Sequence, residues 1–116
     1  GTKRTLPNGA LEVTREDGSR VITFKDGTVK ELTTDGRLVV RFANGDVKEE
    51  CSDGTVTYFY REARTTHITY KSGLQLLHFP DNQMEKHYPD GSKEVLFPDK
   101  SRRRFLPSGE EETNAW

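Results

Sequence analysis

The fold of this chain is decided by two consecutive nine-residue units, RLVVRFANG at residues 37–45 and DVKEECSDG at residues 46–54. Each unit carries six or seven residues of short, partly alternating sequence and ends in Asn-Gly or Asp-Gly. These dipeptides are strong signals for a β-hairpin turn, because glycine, asparagine and aspartate tolerate positive φ angles. Six or seven residues suffice for one strand and are too few for a helix. The two units therefore predict a pair of short antiparallel strands.

The same unit recurs on both sides of this stretch. Turn positions follow every nine residues, with one extra residue near Arg64, and they are occupied by Gly9, Gly18, Gly27, Gly36, Gly45, Gly54, Gly73, Asn82, Gly91, Lys100 and Gly109. The repeat predicts an all-β fold in which residues 1–116 form one domain, an open antiparallel meander of about 12–13 short strands. A nine-residue period also occurs in calcium-binding β-rolls, but those repeats contain paired glycines and an acidic ligand set that this sequence lacks. We therefore favour the meander.

The chain is poor in residues that could form a core. Only 31% of its residues are hydrophobic, and 32% are charged. Polar side chains occupy both parities of several strand segments, as in residues 46–50 and 83–87. Neither face of such a strand can lie under a second layer without burying charge, which is costly. The sequence therefore predicts a single-layer sheet, solvated on both faces and without a hydrophobic core. Ladder hydrogen bonds and cross-strand pairs, each contributing ~0.2–1 kcal/mol, would stabilise it.

The same features argue against several functional classes. A net charge of −1 is unsuited to a nucleic-acid binder that neutralises phosphates. No apolar run approaches the ~18–20 residues that span a bilayer, so we expect no membrane partner. The histidines His67, His78 and His87 fall on separate strands, and Cys51 has no basic partner nearby in the sequence. We therefore expect no enzyme activity, no metal and no cofactor.

The prolines indicate the register between strands. Each stands two residues before a turn position, in the set Pro7, Pro80, Pro89, Pro98 and Pro107. Proline fits the second position of a type I turn, and the glycine position then becomes the left-handed bulge of a three-residue loop. This loop pairs Phe79 with Gln83 and Leu77 with Glu85.

The same loop at the other turns, with a four-residue loop at 61–64, places two rows of side chains on one face. The central row contains Val40, Lys48, Tyr58, His67, Leu77, Glu85 and Val95. The row beside it contains Phe42, Asp46, Tyr60, Thr65, Phe79, Gln83 and Phe97. A slip of one residue at any turn would move the following strands to the other face.

Several aromatic side chains of these rows would be exposed, because the sheet has no core to cover them. Phe42 and Phe79 lie four strands apart, roughly 19 Å. A polyproline II segment rises ~3.1 Å per residue, so about six residues would span that distance. Separated rings of this kind suit a proline-rich peptide. For the set Phe42, Tyr58, Tyr60 and Phe79 we favour peptide binding, while the alternative is that the rings are cross-strand pairs that only stabilise the sheet.

Three segments carry a resemblance to a known family: RFANGDVK at 41–48, VTYFYREARTTHITY at 56–70 and LHFPDNQMEKHYPDG at 77–91. They resemble the T-complex protein 10 C-terminal domain, the G-box that ends centriole-assembly scaffolds of the CPAP (centromere protein J) family. The similarity covers essentially the whole chain. It implies a free-standing antiparallel sheet in the cytoplasm, at the centriole or centrosome, that binds a proline-rich motif of a STIL-like centriole duplication factor.

The resemblance also implies residue roles. The family's peptide-contacting aromatics fall on Phe42, Tyr58 and Phe79, and an acidic position linked to centriole assembly falls on Glu85. Glu85 would be a partner for a basic residue that flanks the prolines, a group that supports His67 and Leu77, or only a solvated strand charge. Together with the row assignment, these matches predict the peptide-binding residues Phe42, Tyr58, Tyr60, His67, Leu77, Phe79 and Glu85.

A second functional hypothesis comes from the ends of the sheet. An open sheet leaves unpaired donors and acceptors on its terminal strands, and these can template the addition of another copy. Head-to-tail contacts of this kind are heterologous and can build an open filament. The alternative function is therefore a self-associating structural spacer.

Overall fold

The computed structural model of the protein describes residues 1–112 and shows one open antiparallel sheet, with its strands ordered as they occur in the chain. The strands are β1 (Thr2–Thr5), β2 (Leu11–Thr14), β3 (Arg20–Thr23), β4 (Val29–Leu32), β5 (Leu38–Arg41), β6 (Val47–Glu50), β7 (Val56–Tyr60), β8 (Thr65–Thr69), β9 (Gln75–His78), β10 (Met84–His87), β11 (Lys93–Leu96) and β12 (Arg102–Phe105). The all-β, single-sheet prediction is confirmed. Nothing in residues 1–112 forms a helix of the length and apolarity that crossing a membrane requires.

The turns have the predicted three-residue geometry, also where they lack proline. In the loop after β5, the Phe42 backbone N–H donates to the Asp46 carbonyl at 2.9 Å, and the Gly45 N–H donates to the Phe42 carbonyl at 3.0 Å. Gly45 has a φ of 93°, the left-handed conformation that glycine adopts without a steric penalty. The proline-bearing loop after β9 has the same pair of bonds between Phe79 and Gln83, with Asn82 at a φ of 71°.

Side chains before the glycine position fix these turns further. The Asn44 Oδ1 accepts a 2.9 Å hydrogen bond from the Asp46 N–H, two residues later in the chain. Asp17 and Asp90 accept the corresponding bonds from Ser19 and Ser92. Both carboxylates also accept a bond from the serine hydroxyl, and these hydrogen bonds hold the pKa of Asp17 and of Asp90 below the ordinary aspartate value. The repeat therefore orders its turns through local hydrogen bonds and needs no core to do so.

The central row is confirmed residue by residue. Its successive cross-strand partners are Val40–Lys48, Lys48–Tyr58, Tyr58–His67, His67–Leu77, Leu77–Glu85 and Glu85–Val95. The row beside it is confirmed as well. Tyr60 pairs directly with Thr65, and the neighbouring pairs Val47–Phe59, Thr66–His78 and Met84–Leu96 give the rest of this row the predicted register. The extra residue of the repeat is absorbed in the four-residue loop 61–64, where Arg64 takes a φ of 48°. We call the face that carries both rows the aromatic face.

Over residues 1–112 the sheet has no packed interior. The buried apolar residues are Ala10, Val39, Val40 and Val95. Val39 and Val40 are 8% and 5% exposed although they point to opposite faces, so neighbouring side chains on each face cover them. Within residues 1–112, no large side chain is completely buried. The prediction of a single solvated layer without a hydrophobic core is confirmed.

The last part of the described chain begins a further strand. Phe105 forms an isolated bridge with Glu111, and the Glu112 N–H donates to the Arg104 carbonyl at 2.8 Å. A complete thirteenth strand, the upper number that the repeat predicts, would run into residues 113–116, which lie outside the described residues.

Candidate functional site

Three aromatic side chains from β7 and from the loop between β5 and β6 touch on the aromatic face. The rings of Phe42 and Tyr58 stack with centroids 5.8 Å apart and an interplanar angle of 29°. The rings of Tyr58 and Tyr60 lie two residues apart on one strand, with centroids 4.4 Å apart and tilted by 40°. Tyr60 is 41% exposed. A cluster of this size without a covering layer presents ring faces to solvent, where they can pack against a ligand.

Asp46 holds this cluster in place. Its Oδ2 accepts a 2.8 Å hydrogen bond from the Tyr58 hydroxyl group, and its Oδ1 accepts a 2.9 Å bond from the backbone N–H of Arg61. One carboxylate thus joins the loop before β6, the Tyr58 ring and the loop after β7. A concavity of ≈ 350 Å³ lies beside it, lined by Asn44, Asp46, Tyr60, Glu62 and Ala63.

These hydrogen bonds shift the ionisation of both partners. The Arg61 N–H and then the Tyr58 hydroxyl hold the pKa of Asp46 below its ordinary value, because both donate to the ionised carboxylate. The bond to Asp46 raises the pKa of Tyr58, since an ionised phenol could not donate it. Around neutral pH, Asp46 is therefore charged and Tyr58 protonated, which is the combination that keeps the ring fixed.

Phe79 and Glu85 line a second concavity, on the β10 side of the aromatic face. Its lining residues are Phe79, Pro80, Asp81, Gln83 and Glu85. The Glu85 Oε1 lies 3.0 Å from the Nε2 of His87 and 3.9 Å from the Nζ of Lys93. Glu85 therefore already lies among basic groups, and its side chain is still 20% exposed. Its carboxylate can accept a further hydrogen bond from a basic ligand group.

His67 and Leu77 lie between the two concavities. Both are half-buried, and they face each other across β8 and β9. The His67 Nε2 lies 2.8 Å from the Oε1 of Gln75, so this imidazole bonds to Gln75 and not to Glu85. Leu77 is the direct cross-strand partner of Glu85.

The predicted site residues thus share one face but form two groups. Phe42, Tyr58 and Tyr60 are in ring contact, whereas Phe79 stands two strands away from Tyr60, about 9.6 Å, at the second concavity. The structure adds two residues that contact predicted site residues, Asp46 at Tyr58 and His87 at Glu85. The sequence signal for Asp46 is its predicted position between Phe42 and Tyr60 in one row of the aromatic face.

Other chemistry has little support among the described residues. Burial and then the carboxylates of Glu49 and Asp53 raise the pKa of the Cys51 thiol, which is the opposite of what an activated nucleophile requires. In residues 1–112, no group of three or more His, Cys, Asp or Glu side chains is arranged to hold a metal ion.

Comparison with known proteins agrees with this architecture. The family model of the T-complex protein 10 C-terminus matches residues 2–32, 16–50 and 71–104. The chain belongs to this family. The family resemblance of the sequence is thereby confirmed. Among curated relatives, the Homo sapiens Centrosomal P4.1-associated protein is 49% identical over 81 residues, which are 69% of this chain and 6% of that protein.

Two solved structures of the same family contain bound peptides. The TCP10 domain of Danio rerio CPAP, in complex with a peptide of Danio rerio STIL, is 50% identical with a TM-score of 0.80, and the match covers 89% of this chain and 57% of that one. The TCP domain of Drosophila melanogaster SAS-4 (dCPAP), in complex with a proline-rich motif of Ana2 (dSTIL), is 28% identical with a TM-score of 0.61. That match covers 96% of this chain and 87% of the fly chain.

Proposed function

We propose that this protein is a non-enzymatic peptide-binding module of a centriole-assembly scaffold at the centrosome. Its aromatic face binds a proline-rich motif of a STIL-like centriole duplication factor. The observation that carries this proposal is the contacting cluster of Phe42, Tyr58 and Tyr60 on a face that no second layer covers. Tyr60 is exposed, and Phe42 and Tyr58 are half-buried. Two relatives of the same fold have complexes with peptides of STIL and of its fly counterpart, and these complexes support the choice of partner.

The geometry of the face suits a proline-rich ligand. A polyproline II segment has no internal hydrogen bonds and loses little conformational entropy on binding, because its rings already fix the backbone. Its proline rings can pack on the ring faces of Phe42, Tyr58 and Tyr60 at one end and on Phe79 at the other. Asp46 pre-organises the first group through the Tyr58 hydroxyl, which lowers the entropy lost on binding.

Glu85 contributes electrostatic selectivity in this proposal. It lines the concavity beside Phe79, so a basic side chain that follows the prolines can reach its carboxylate. His87 and Lys93 hold the carboxylate in position from the other side. The half-buried side chains of His67 and Leu77 lie between the two aromatic groups, where the middle of the peptide contacts them.

Titration with a proline-rich STIL-type peptide tests this function. Phe42→Ala combined with Phe79→Ala removes two ring contacts of about 1–1.5 kcal/mol each, so the affinity should fall by about 100-fold. The control is Phe59→Ala, which removes a 36% exposed ring from the opposite face and should leave the affinity unchanged. Unaltered affinity in the double variant, with an unchanged circular dichroism spectrum, would contradict the proposal.

Self-association through the edges remains a second candidate, favoured by β1. Among residues 1–112, this strand lies at one end of the sheet order beside β2, and all four of its residues are exposed. Its outer backbone groups are thus available to a strand of another copy. In this proposal the protein is also a spacer that stacks head to tail.

A further inference from the structure

Aromatic residues recur on every second strand along one long edge of the aromatic face. Each stands at or directly before a loop on that edge, and together they are Phe24, Phe42, Tyr60, Phe79 and Phe97. We call this set the aromatic row. Two strand spacings are about 9.6 Å. Three residues of polyproline II, one full turn, rise about 9.3 Å. A polyproline II peptide that crosses the strands therefore presents the same side of its helix to each successive ring.

From this match we propose that the bound peptide continues past Phe79 and packs on Phe97 as well. The inference rests on the proposed function. It specifies a ligand of at least about ten residues, in which prolines or apolar residues at i, i+3, i+6 and i+9 contact Phe42, Tyr60, Phe79 and Phe97 in turn. The site then extends over β5 to β11 and is not limited to the two aromatic groups at its centre.

The first argument is that the Phe79 turn is repeated at Phe97. The sequence reads Phe-Pro-Asp at residues 79–81 and again at residues 97–99. In both loops the phenylalanine N–H donates to the carbonyl four residues later at 2.9 Å. The bulge residues Asn82 and Lys100 have φ angles of 71° and 73°. The backbone that presents Phe97 is therefore the same as the one that presents Phe79.

The second argument is the position of the second concavity. It is lined by Gln83 and Glu85, which lie on the β10 side of Phe79, so it opens toward Phe97. The first concavity lies at Asp46, between Phe42 and Tyr60. Residues 46 and 83 are four strands apart, about 19 Å, or two turns of polyproline II. Both concavities thus lie along the aromatic row at intervals that the same peptide can use.

A cation already lies over the ring at one end of the aromatic row. The Lys30 Nζ lies 5.4 Å from the centroid of the Phe24 ring. Within residues 1–112, no cation lies over the ring of Phe97 in this way. Phe97 is half-buried, as Phe79 is, and among the described residues its ring lies next to Phe79 without a cation over it. Phe24 already has a cation partner, so the peptide extends toward β11 and not toward β3.

Two oligoprolines with blocked termini test the inference by calorimetric titration. Heptaproline spans three rings of the aromatic row, and decaproline spans four. Phe97→Ala should weaken the binding of decaproline about five- to tenfold, because one ring contact is lost. It should weaken heptaproline by no more than about twofold, since the three rings from Phe42 to Phe79 remain. The matched control Phe24→Ala removes the ring at the other end and should change neither affinity by more than about twofold.

The outcomes separate this inference from the proposed function. If heptaproline does not bind the unaltered protein, the proposed function is wrong. If heptaproline binds and Phe97→Ala leaves decaproline affinity unchanged, the extension to Phe97 is wrong while the function stands. An equal loss in Phe24→Ala would overturn the direction of the extension. Two further measurements guard against a misfolded Phe97→Ala variant: the same titrations of Phe97→Leu, and the backbone amide shifts of Phe97 and Ser101 in the unaltered protein. If decaproline leaves these amide shifts unchanged, the extension to Phe97 is wrong.

Discussion

The Tyr58 hydroxyl group donates a 2.8 Å hydrogen bond to the carboxylate of Asp46, which directly precedes the neighbouring strand of the sheet. The same carboxylate accepts a 2.9 Å bond from the Arg61 backbone in the following loop. In a sheet without a core, a side chain on the surface has few neighbours to restrict its rotamers. The hydrogen bond to Asp46 restricts the Tyr58 rotamer instead, and so holds the Tyr58 ring against Phe42 and Tyr60.

Replacing Asp46 with asparagine should weaken peptide binding without removing any ring. The amide oxygen of the new side chain accepts more weakly than a carboxylate, and only one oxygen remains for two donors. We therefore expect about a threefold loss of affinity for a proline-rich peptide. Calorimetric titration measures this. Asp17→Asn is a matched control, since that turn carboxylate bonds only locally to Ser19, at the opposite edge of the sheet. Equal losses in both variants would mean that Asp46 acts through general turn stability and not through Tyr58.

The stability of the sheet should decrease in acid. Hydrogen bonds within the repeat hold the pKa of several turn carboxylates below their ordinary value, among them Asp17, Asp46, Asp90 and Asp99. A pKa that is lower in the folded state stabilises the protein above the unfolded value, and this stability is lost as the pH falls through the folded value. The melting temperature should therefore be flat from pH 7 to about pH 4 and fall below that. Circular dichroism melts between about pH 7 and pH 2 measure it, and a melting temperature that rises below about pH 4 would contradict the assignment.

Much of the fold could be predicted because the sequence determines it locally. The proline-bearing turn at Phe79 to Gln83 fixes a loop length, and each later pairing then follows by counting. The same rule placed Tyr58, His67, Leu77 and Glu85 in one row, since the extra residue fits into the loop 61–64. The partners of polar side chains could not be predicted in this way. His67 bonds to Gln75, and Glu85 lies against His87 and Lys93, because rotamers and not register decide between neighbours on one face.

Glu85→Gln should weaken a proline-rich peptide that carries a basic residue after its prolines. The loss of one charge-assisted bond at a partly exposed carboxylate corresponds to about a three- to tenfold weaker affinity, and the effect should shrink as salt increases. A peptide with that basic residue replaced by alanine should bind both proteins equally. Glu94→Gln is the control on the opposite face, where Glu94 lies 3.9 Å from Arg102. A loss that is the same for both peptides would instead assign Glu85 a purely structural role through His87 and Lys93.

Self-association through β1 can be separated from folding by the choice of proline positions. The Leu6 N–H donates to the Ala10 carbonyl, so residues of the same parity, such as Arg4, face β2 with their backbone groups. The N–H groups of Lys3 and Thr5 then point outward from the edge. Lys3→Pro with Thr5→Pro should therefore leave the β1–β2 ladder intact and remove the donors that a second copy would use. Sedimentation velocity over a range of concentrations should show a sedimentation coefficient that grows with concentration in the unaltered protein and does not in this variant.

Arg4→Pro is the contrasting variant, since it breaks the hydrogen-bond ladder between β1 and β2 and should lower the melting temperature. A single monomer boundary for the unaltered protein at millimolar concentration would exclude the spacer function.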